Sequence, residues 1–389
     1  MLKQIKRQLA TRRSLVAELA SVAGECVTNN VVKHFRTLQP TVLQLNVNAA
    51  CNAKCNMCNI WKTEDKTQLS LEKLDETFTD PAFRRIEYII LAGGEPTLRK
   101  DLPEVVGLML KHMPKLRKLS IPTTGISTEL SVRHFSAIAT LCLERNVVCS
   151  IGISLDGVGE VYDRVRGVPG GYEKVINTLH ALKELNQKVE FQLSVNPTIS
   201  AMNVRDVHNL VEVSKHLELG INFFMATLSE SYFNNLNLAD SITMTAEDRA
   251  FLEAFLRQRI NESPLMSEMP FYYEKALEML KGAKRSIPCP FQDQGIVLDA
   301  NGDFHYCTNS RTVGNVHQRA PSSIYHDREN LAYRRRVRQE TCPGCQISCF
   351  VGVGLRKTVF PFLGFTARHG ARRMWNRIRG NGHIRAANG

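Results

Sequence analysis

Cys51-Asn-Ala-Lys-Cys55-Asn-Met-Cys58 is the stretch on which the reading of the chain turns. It follows directly on Thr41-Val-Leu-Gln-Leu-Asn-Val-Asn, whose alternation of apolar and polar residues predicts a strand. The cysteines then occupy a loop at the strand's C-terminal end. Thiolates suit soft metals, and closely spaced cysteines of this kind hold iron–sulfur clusters. Three thiolates around a four-iron cluster leave one iron without a protein ligand, and an open position is where chemistry can occur. Structural zinc usually takes four ligands with paired CxxC spacings, and no fourth cysteine stands near this loop.

At 389 residues the chain can bury one large core plus a smaller domain. Its composition, 43% hydrophobic and 23% charged without repeats or low-complexity tracts, is that of a globular protein. Of the 11 cysteines, all but Cys26, Cys142 and Cys149 fall in two groups with ligand-like spacing, and those three are expected as buried thiols. The first 25 residues lack a continuous apolar stretch, so no secretory signal is expected. Residues 1–17, with five basic and no acidic residues, leave a transit peptide as the alternative. An uneven cysteine count without a signal points to a reducing, cytoplasmic setting. Of the net charge of +12, residues 1–40 carry +5 and residues 350–389 carry +8, leaving the 309 residues between them at −1. An anionic partner is therefore to be sought at the ends.

An amphipathic helix is expected over 2–24, with Leu2, Ile5, Leu9, Val16 and Leu19 on one side. After the first strand, further strands are expected at 86–92, 116–122, 147–155, 189–195 and 221–226. Helical patterns separate them at 101–113, 129–145, 171–186 and 203–217, with another at 245–260. Six repeats of strand then helix imply a parallel sheet with right-handed crossovers. In such folds the C-terminal ends of the strands carry the chemistry.

The CxxxCxxC spacing after a first strand resembles the radical S-adenosylmethionine (SAM) superfamily, and six units resemble its partial barrel. The resemblance implies that Cys51, Cys55 and Cys58 bind a [4Fe–4S] cluster whose open iron chelates SAM. Electron transfer then cleaves the sulfonium to a 5′-deoxyadenosyl radical. Met57 stands where such families often place an aromatic beside the adenine. Gly93-Gly94-Glu95-Pro96, ending the second strand, is the family's second hallmark, with carbonyls that can accept from the SAM amino group. Ser154-Leu-Asp156-Gly157 resembles the SLDG segment of the subfamily with auxiliary clusters. It implies Ser154 and Asp156 at the cofactor, with Arg164 or Arg166 pairing the SAM carboxylate. Thr123, Thr124 and Asn196 end neighbouring strands and are candidates for ribose or site contacts. The bland alternatives are an ordinary turn at Asp156-Gly157 and solvated arginines.

The second cysteine group begins with Cys289, followed after twelve residues by Gly302 and after four more by Cys307. Asp299-Ala-Asn-Gly-Asp is a hairpin turn signal between them. With Cys342-Pro-Gly-Cys345-Gln-Ile-Ser-Cys349 this resembles the SPASM and twitch domains behind many radical SAM barrels. Five cysteines suffice for one auxiliary [4Fe–4S] cluster, on Cys289, Cys307 and Cys345 with Cys342 or Cys349 as fourth; zinc is the alternative, because CxxC is present. The expected fold is therefore α/β, a partial (β/α)6 TIM-like barrel at 41–262 with a small C-terminal twitch/SPASM-like iron–sulfur domain at 287–349. A helical linker is expected at 263–286, a basic helical extension at 1–40 and a basic tail at 350–389.

The function expected is hydrogen abstraction from a peptide or small molecule, an oxidoreductase or transferase served by a reductant such as flavodoxin or ferredoxin. Tyr232-Phe-Asn-Asn and Pro270-Phe-Tyr-Tyr are expected to pack a cover or linker. Phe360, Phe362, Phe365 and Trp375 beside the C-terminal arginines suit an anionic membrane interface. Nucleic acid is less expected, because no recognition motif accompanies the charge. The alternative to an enzyme is an iron–sulfur or zinc scaffold that binds membrane or nucleic acid through its ends.

Overall fold

The first strand, β1 (Val42–Asn48), is buried at all seven positions. Its apolar residues Leu43, Leu45 and Val47 alternate with Gln44, Asn46 and Asn48, which are also buried, as befits a parallel strand covered on both faces. The computed structural model describes residues 23–264, 267–287, 289–347, 351–357 and 359–386. Most of the helix expected over 2–24, together with Cys349, lies outside the described residues.

Five more parallel strands follow: β2 (Tyr88–Gly93), β3 (Lys118–Thr123), β4 (Val148–Ile153), β5 (Gln192–Val195) and β6 (Gly220–Ile221). They pair in chain order from β1 to β6. Helices Leu102–His112, Thr128–Glu144, Gly171–Asn186 and Val207–His216 alternate with them, close to the bounds expected. On the other side of β1 lies β7 (Gly295–Leu298), also parallel, extended by the antiparallel β8 (Asp303–His305) and β9 (Gly314–Asn315). The fold is thus an open α/β sheet of the partial-barrel kind. Gly302, at φ +90°, makes the expected turn between β7 and β8.

The sixth strand departs from its expected span of 221–226. Only Gly220 and Ile221 join the main sheet, while Phe224 and Met225 pair with Thr198 and Ile199 in a separate ladder. Pro197, just after β5, has no N–H to donate and breaks the ladder there. Asn222 bridges the gap, its N–H donating to the Val195 carbonyl and its Nδ2 to Asn196 Oδ1 (3.1 Å). Phe223 turns into the core against Phe255, ring centroids 4.9 Å apart. Among the helices not expected are Leu71–Phe78, capped by Ser70, Glu160–Arg166, and, where only a basic tail was expected, Val351–Lys357 and Val359–Ala386.

The chain falls into two compact units. One comprises residues 39–255 and 294–348, so the β7–β8 hairpin extends the barrel sheet directly. Two helices, Pro321–Tyr325 and Arg328–Glu340, follow the hairpin there. The other comprises residues 1–38, 256–293 and 349–389, and its described part is helical. Within it, helix Glu268–Leu280 packs Phe271 against Phe362 and Phe365 of helix Val359–Ala386. Among the described residues no helix is long and apolar enough to cross a membrane.

Candidate active site

The cysteine loop leaves β1 and caps the end of helix Glu160–Arg166. Lys54 N–H donates to the Arg166 carbonyl and Asn56 N–H to that of Val165, both at 2.9 Å, and Asn56 Nδ2 donates to that of Arg164 (2.8 Å). Carbonyls that a helix end leaves unpaired are thereby satisfied by the loop itself. Gly167 completes the cap at φ +63°, where an added Cβ would stand 2.5 Å from the Lys54 oxygen. Helix and loop fix each other.

Inside this frame Arg166 Nη1 donates to Cys55 Sγ (3.5 Å), and Ile60 N–H to Cys58 Sγ (3.5 Å). Burial pushes the Cys51 thiol up to about 11 and the Cys58 thiol up to about 12. Charge on the neighbouring cysteines adds to both shifts, and Arg166 opposes them. Three thiols that feel one another's charge, partly buried beside a guanidinium, fit a cationic iron–sulfur group, which would draw off their protons. The described cysteines are all free thiols. Among the described residues no three His, Cys, Asp or Glu side chains are gathered as a single metal ion requires.

The Gly93–Pro96 turn packs on the root of this loop. An added Cβ on Gly94 would stand 2.0 Å from the Ala50 oxygen, and one on Gly93, at φ +114°, 2.2 Å from that of Asn48. The close approach that the paired glycines permit is therefore to the protein's own backbone, sealed by Gly94 N–H to Asn48 O (2.9 Å) and Glu95 N–H to Ala50 O (2.7 Å). Glu95 is 1% exposed and fully engaged. Its Oε1 accepts from Thr97 and from Thr123 Oγ1 (2.7 Å), and its Oε2 from Thr124 N–H (2.6 Å). Thr124 Oγ1 in turn donates to Asn52 Oδ1 in the cysteine loop (2.9 Å). Pro96 opens a 3-10 turn that Glu95 caps.

Asp156 and Arg166 face each other, with Nε and Oδ2 2.6 Å apart but at an angle short of a hydrogen bond. Asp156 is wholly buried, and its other oxygen accepts from Thr198 N–H (2.7 Å). Burial pushes its carboxyl up, against the pull of Arg166 and of that N–H. Arg164 is exposed, so of the two candidate arginines it is Arg166 that turns to the cysteines. Ser154 is half-buried at the end of β4, with its N–H on the Thr123 carbonyl. Asn196 lies across Gly152, where an added Cβ would meet its Nδ2 at 2.1 Å; its Oδ1 accepts from Ser194 and Asn222.

Several residues at the site escaped the sequence reading. Asn46 Nδ2 donates to Asp299 Oδ1 (2.5 Å), and Asp299 Oδ2 pairs with His305 Nε2 (2.9 Å). Tyr232 brings its hydroxyl to 3.4 Å from both Asn46 Oδ1 and Gly93 N. Asn235, 0% exposed, donates to the Met57 carbonyl (2.8 Å). Of these, only the Asp-Ala-Asn-Gly-Asp turn and the Tyr232 aromatics left a signal, and it was one of local structure. In the second cysteine group, Cys345 Sγ accepts from Asn309 Nδ2 (3.8 Å), Cys307 N–H donates to Ser310 Oγ, and Cys345 N–H donates to the Cys342 carbonyl. Cys289 belongs to the helical unit, where its carbonyl accepts from Gln292 N–H. Cys142 and Cys149 are buried, as expected, whereas Cys26 is only half-buried.

Residues 45–213 match the model of the Radical SAM superfamily. An Fe-coproporphyrin III synthase of Methanosarcina barkeri is 31% identical over 183 residues, 46% of this chain and 42% of the relative. The chain thus spans less than half the length of that relative. Streptococcus suis SuiB bound to precursor peptide SuiA has a similar fold at 14% identity, with a TM-score of 0.55 over 89% of this chain and 77% of that one. So has anSMEcpe with bound AdoMet and the Cp18Cys peptide, at 15% identity and a TM-score of 0.55 over 85% and 99% of the two chains.

Proposed function

We propose, for a chain that belongs to the radical SAM superfamily, that it cleaves SAM reductively and abstracts hydrogen from a peptide or small-molecule substrate. The observation that carries this reading is the trio Cys51, Cys55 and Cys58, partly buried at the C-terminal end of β1, with Arg166 on Cys55 and Gly93–Pro96 at the loop's root. A [4Fe–4S] cluster held by the three thiols would supply the electron and the open iron. Arg166 offsets thiolate charge, and the saturated Glu95 holds the ends of β2 and β3 at a fixed distance from the loop. Ser154, Thr124 and the Gly93–Gly94 carbonyls are the groups through which the chain would hold SAM. A peptide substrate draws support from SuiB and anSMEcpe, both solved with a peptide bound. A small-molecule substrate draws on the coproporphyrin-related relative. Given SAM and a low-potential reductant such as ferredoxin or flavodoxin, the anaerobically reconstituted protein is expected to release 5′-deoxyadenosine. A protein that binds iron but releases none would leave the scaffold reading in its place.

The second cysteine group is proposed to hold one auxiliary [4Fe–4S] cluster through Cys289, Cys307 and Cys345, with Cys342 or Cys349. Replacing Cys289 and Cys307 together is then expected to leave SAM cleavage largely intact and to abolish substrate turnover. Loss of SAM cleavage from a folded protein that keeps four irons would instead make the auxiliary group a source of electrons for the first.

Peripheral contact with an anionic membrane is proposed for the helical unit. A cavity of about 550 Å³ there is lined by Arg257, Lys281, Arg368 and Arg372 against two carboxylates, Glu274 and Glu278. Both carboxylates are already matched, Glu274 by Arg368 (3.1 Å) and His369 (2.8 Å), Glu278 by Lys275 (2.7 Å). Phe360 and Leu363 are exposed on the same helix as Arg368. Each cation near an anionic surface contributes about 1 kcal/mol within a Debye length. Flotation with anionic liposomes at low salt is expected to recover the protein, and deleting residues 356–389 to cut that recovery sharply. Equal recovery with neutral liposomes would remove the electrostatic explanation.

A further inference from the structure

The segment from Ser229 to Asn237 holds the cysteine loop on one side and the second cysteine group on the other. On the loop side Asn59 N–H donates to the Phe233 carbonyl (2.9 Å), and Asn59 Nδ2 to the Asn234 carbonyl (2.7 Å) and to Asn237 Oδ1 (2.8 Å). Asn235 Nδ2 donates to the carbonyl of Met57, the residue before Cys58, and to that of Thr227 (3.0 Å). Asn235 Oδ1 accepts from Ser229 N–H (2.8 Å). On the far side Ser229 Oγ donates to Asn309 Oδ1 (2.6 Å), and Asn309 Nδ2 donates to Cys345 Sγ (3.8 Å). Asn309 is also two residues past Cys307. Ser229 and Asn235 are 3% and 0% exposed, so water does not compete for their mutual bond, while Asn309 and Cys345 are half-buried.

Every donor in this chain meets an acceptor, from Met57 through Asn235, Ser229 and Asn309 to Cys345. Buried polar chains of this kind transmit a change at one end, because leaving any member unpaired is costly. We propose that Ser229, Asn235 and Asn309 are positioning residues that couple the two cysteine groups, so that occupancy at Cys307 and Cys345 fixes the carbonyl of Met57 and with it Cys58. The inference rests on the reading that both groups hold clusters. Hydrogen-bonding partners behind metal ligands typically change metal affinity by about 10–100-fold when removed.

The test follows release of iron from the barrel loop to a chelator, in the absence of SAM and substrate, so that turnover plays no part. Replacing Cys307 and Cys345 with alanine is expected to speed that release about tenfold, and Ser229→Ala or Asn309→Ala to speed it by a similar factor. Combining Ser229→Ala with the two cysteine replacements is expected to add nothing, because each breaks the same chain. Asn235→Asp, which keeps the shape but turns an oxygen toward two carbonyls, is expected to act at least as strongly. Barrel iron release unchanged by the cysteine replacements, or effects that multiply in the combined variant, would overturn the coupling. A wild-type protein that takes up only one cluster would overturn the two-cluster reading beneath it, and the iron content shows that separately.

Discussion

Alanine at Cys51, Cys55 and Cys58 together is expected to remove about half the iron from the reconstituted protein and all formation of 5′-deoxyadenosine. Two separate cysteine groups, each proposed to hold a four-iron cluster, set the expected wild-type content at about eight iron and eight sulfide. The three thiols of the barrel loop are the ones close enough to share charge and the ones that Arg166 faces. The variant should still fold, because the loop's hold on helix Glu160–Arg166 runs through backbone groups of Lys54 and Asn56 rather than through sulfur. Iron near four in the wild type, with none lost in the variant, would move the cluster to the second group and leave the barrel loop without one. Iron loss with SAM cleavage intact would separate the chemistry from this loop altogether.

The parts of this site that could be read in the sequence are those whose signal is local. The cysteine spacing, the Gly-Gly-Glu-Pro turn and the hairpin at Asp299–Asp303 each lie within a few residues, and each is found where its pattern places it. What escaped depends on residues far apart in the chain. Asn235 meets Met57 across 178 positions and Asn46 meets Asp299 across 253. Neither asparagine carries a mark of its role, since buried and exposed asparagines look alike in one sequence. Asn46 even lay within a correctly expected strand, as one of the polar positions of its alternation. The two arginines of helix Glu160–Arg166 were equally eligible until burial of Asp156 drew Arg166 inward and left Arg164 in solvent. The paired glycines were legible as a close backbone approach, but the partner is Asn48–Ala50 of the same chain. At the sixth strand Pro197 was visible, yet its effect fell on the neighbouring strand, which a reading element by element does not capture.

The Asp156–Arg166 pair should give the largest effect on stability of any single change at the site. Removing one partner of a buried ion pair leaves the other charge uncompensated and typically costs about 3–5 kcal/mol. Asp156→Asn keeps the shape, and its side chain can still accept from Thr198, so the loss isolates the charge on Arg166. Arg166 cannot shed its proton to escape, because a guanidinium stays ionised in proteins. The Cys55 sulfur stays beside it, neutral as a thiol and negative once it ligates a cluster, which is why the metal-free and metal-loaded proteins should differ. In the metal-free protein Asp156→Asn is expected to lower the unfolding midpoint markedly, whereas cluster thiolates supply part of the missing negative charge and should recover some of it. Replacing the pair by Asp156→Leu with Arg166→Met is expected to restore most of the metal-free stability, since apolar residues of similar volume often match a buried pair. The same double variant should release barrel iron faster than wild type, because Cys55 loses its charged donor. Asp156→Asn with wild-type stability in both forms would show that Arg166 is compensated elsewhere. A double variant that holds iron as firmly as wild type would show that the guanidinium serves the helix end alone.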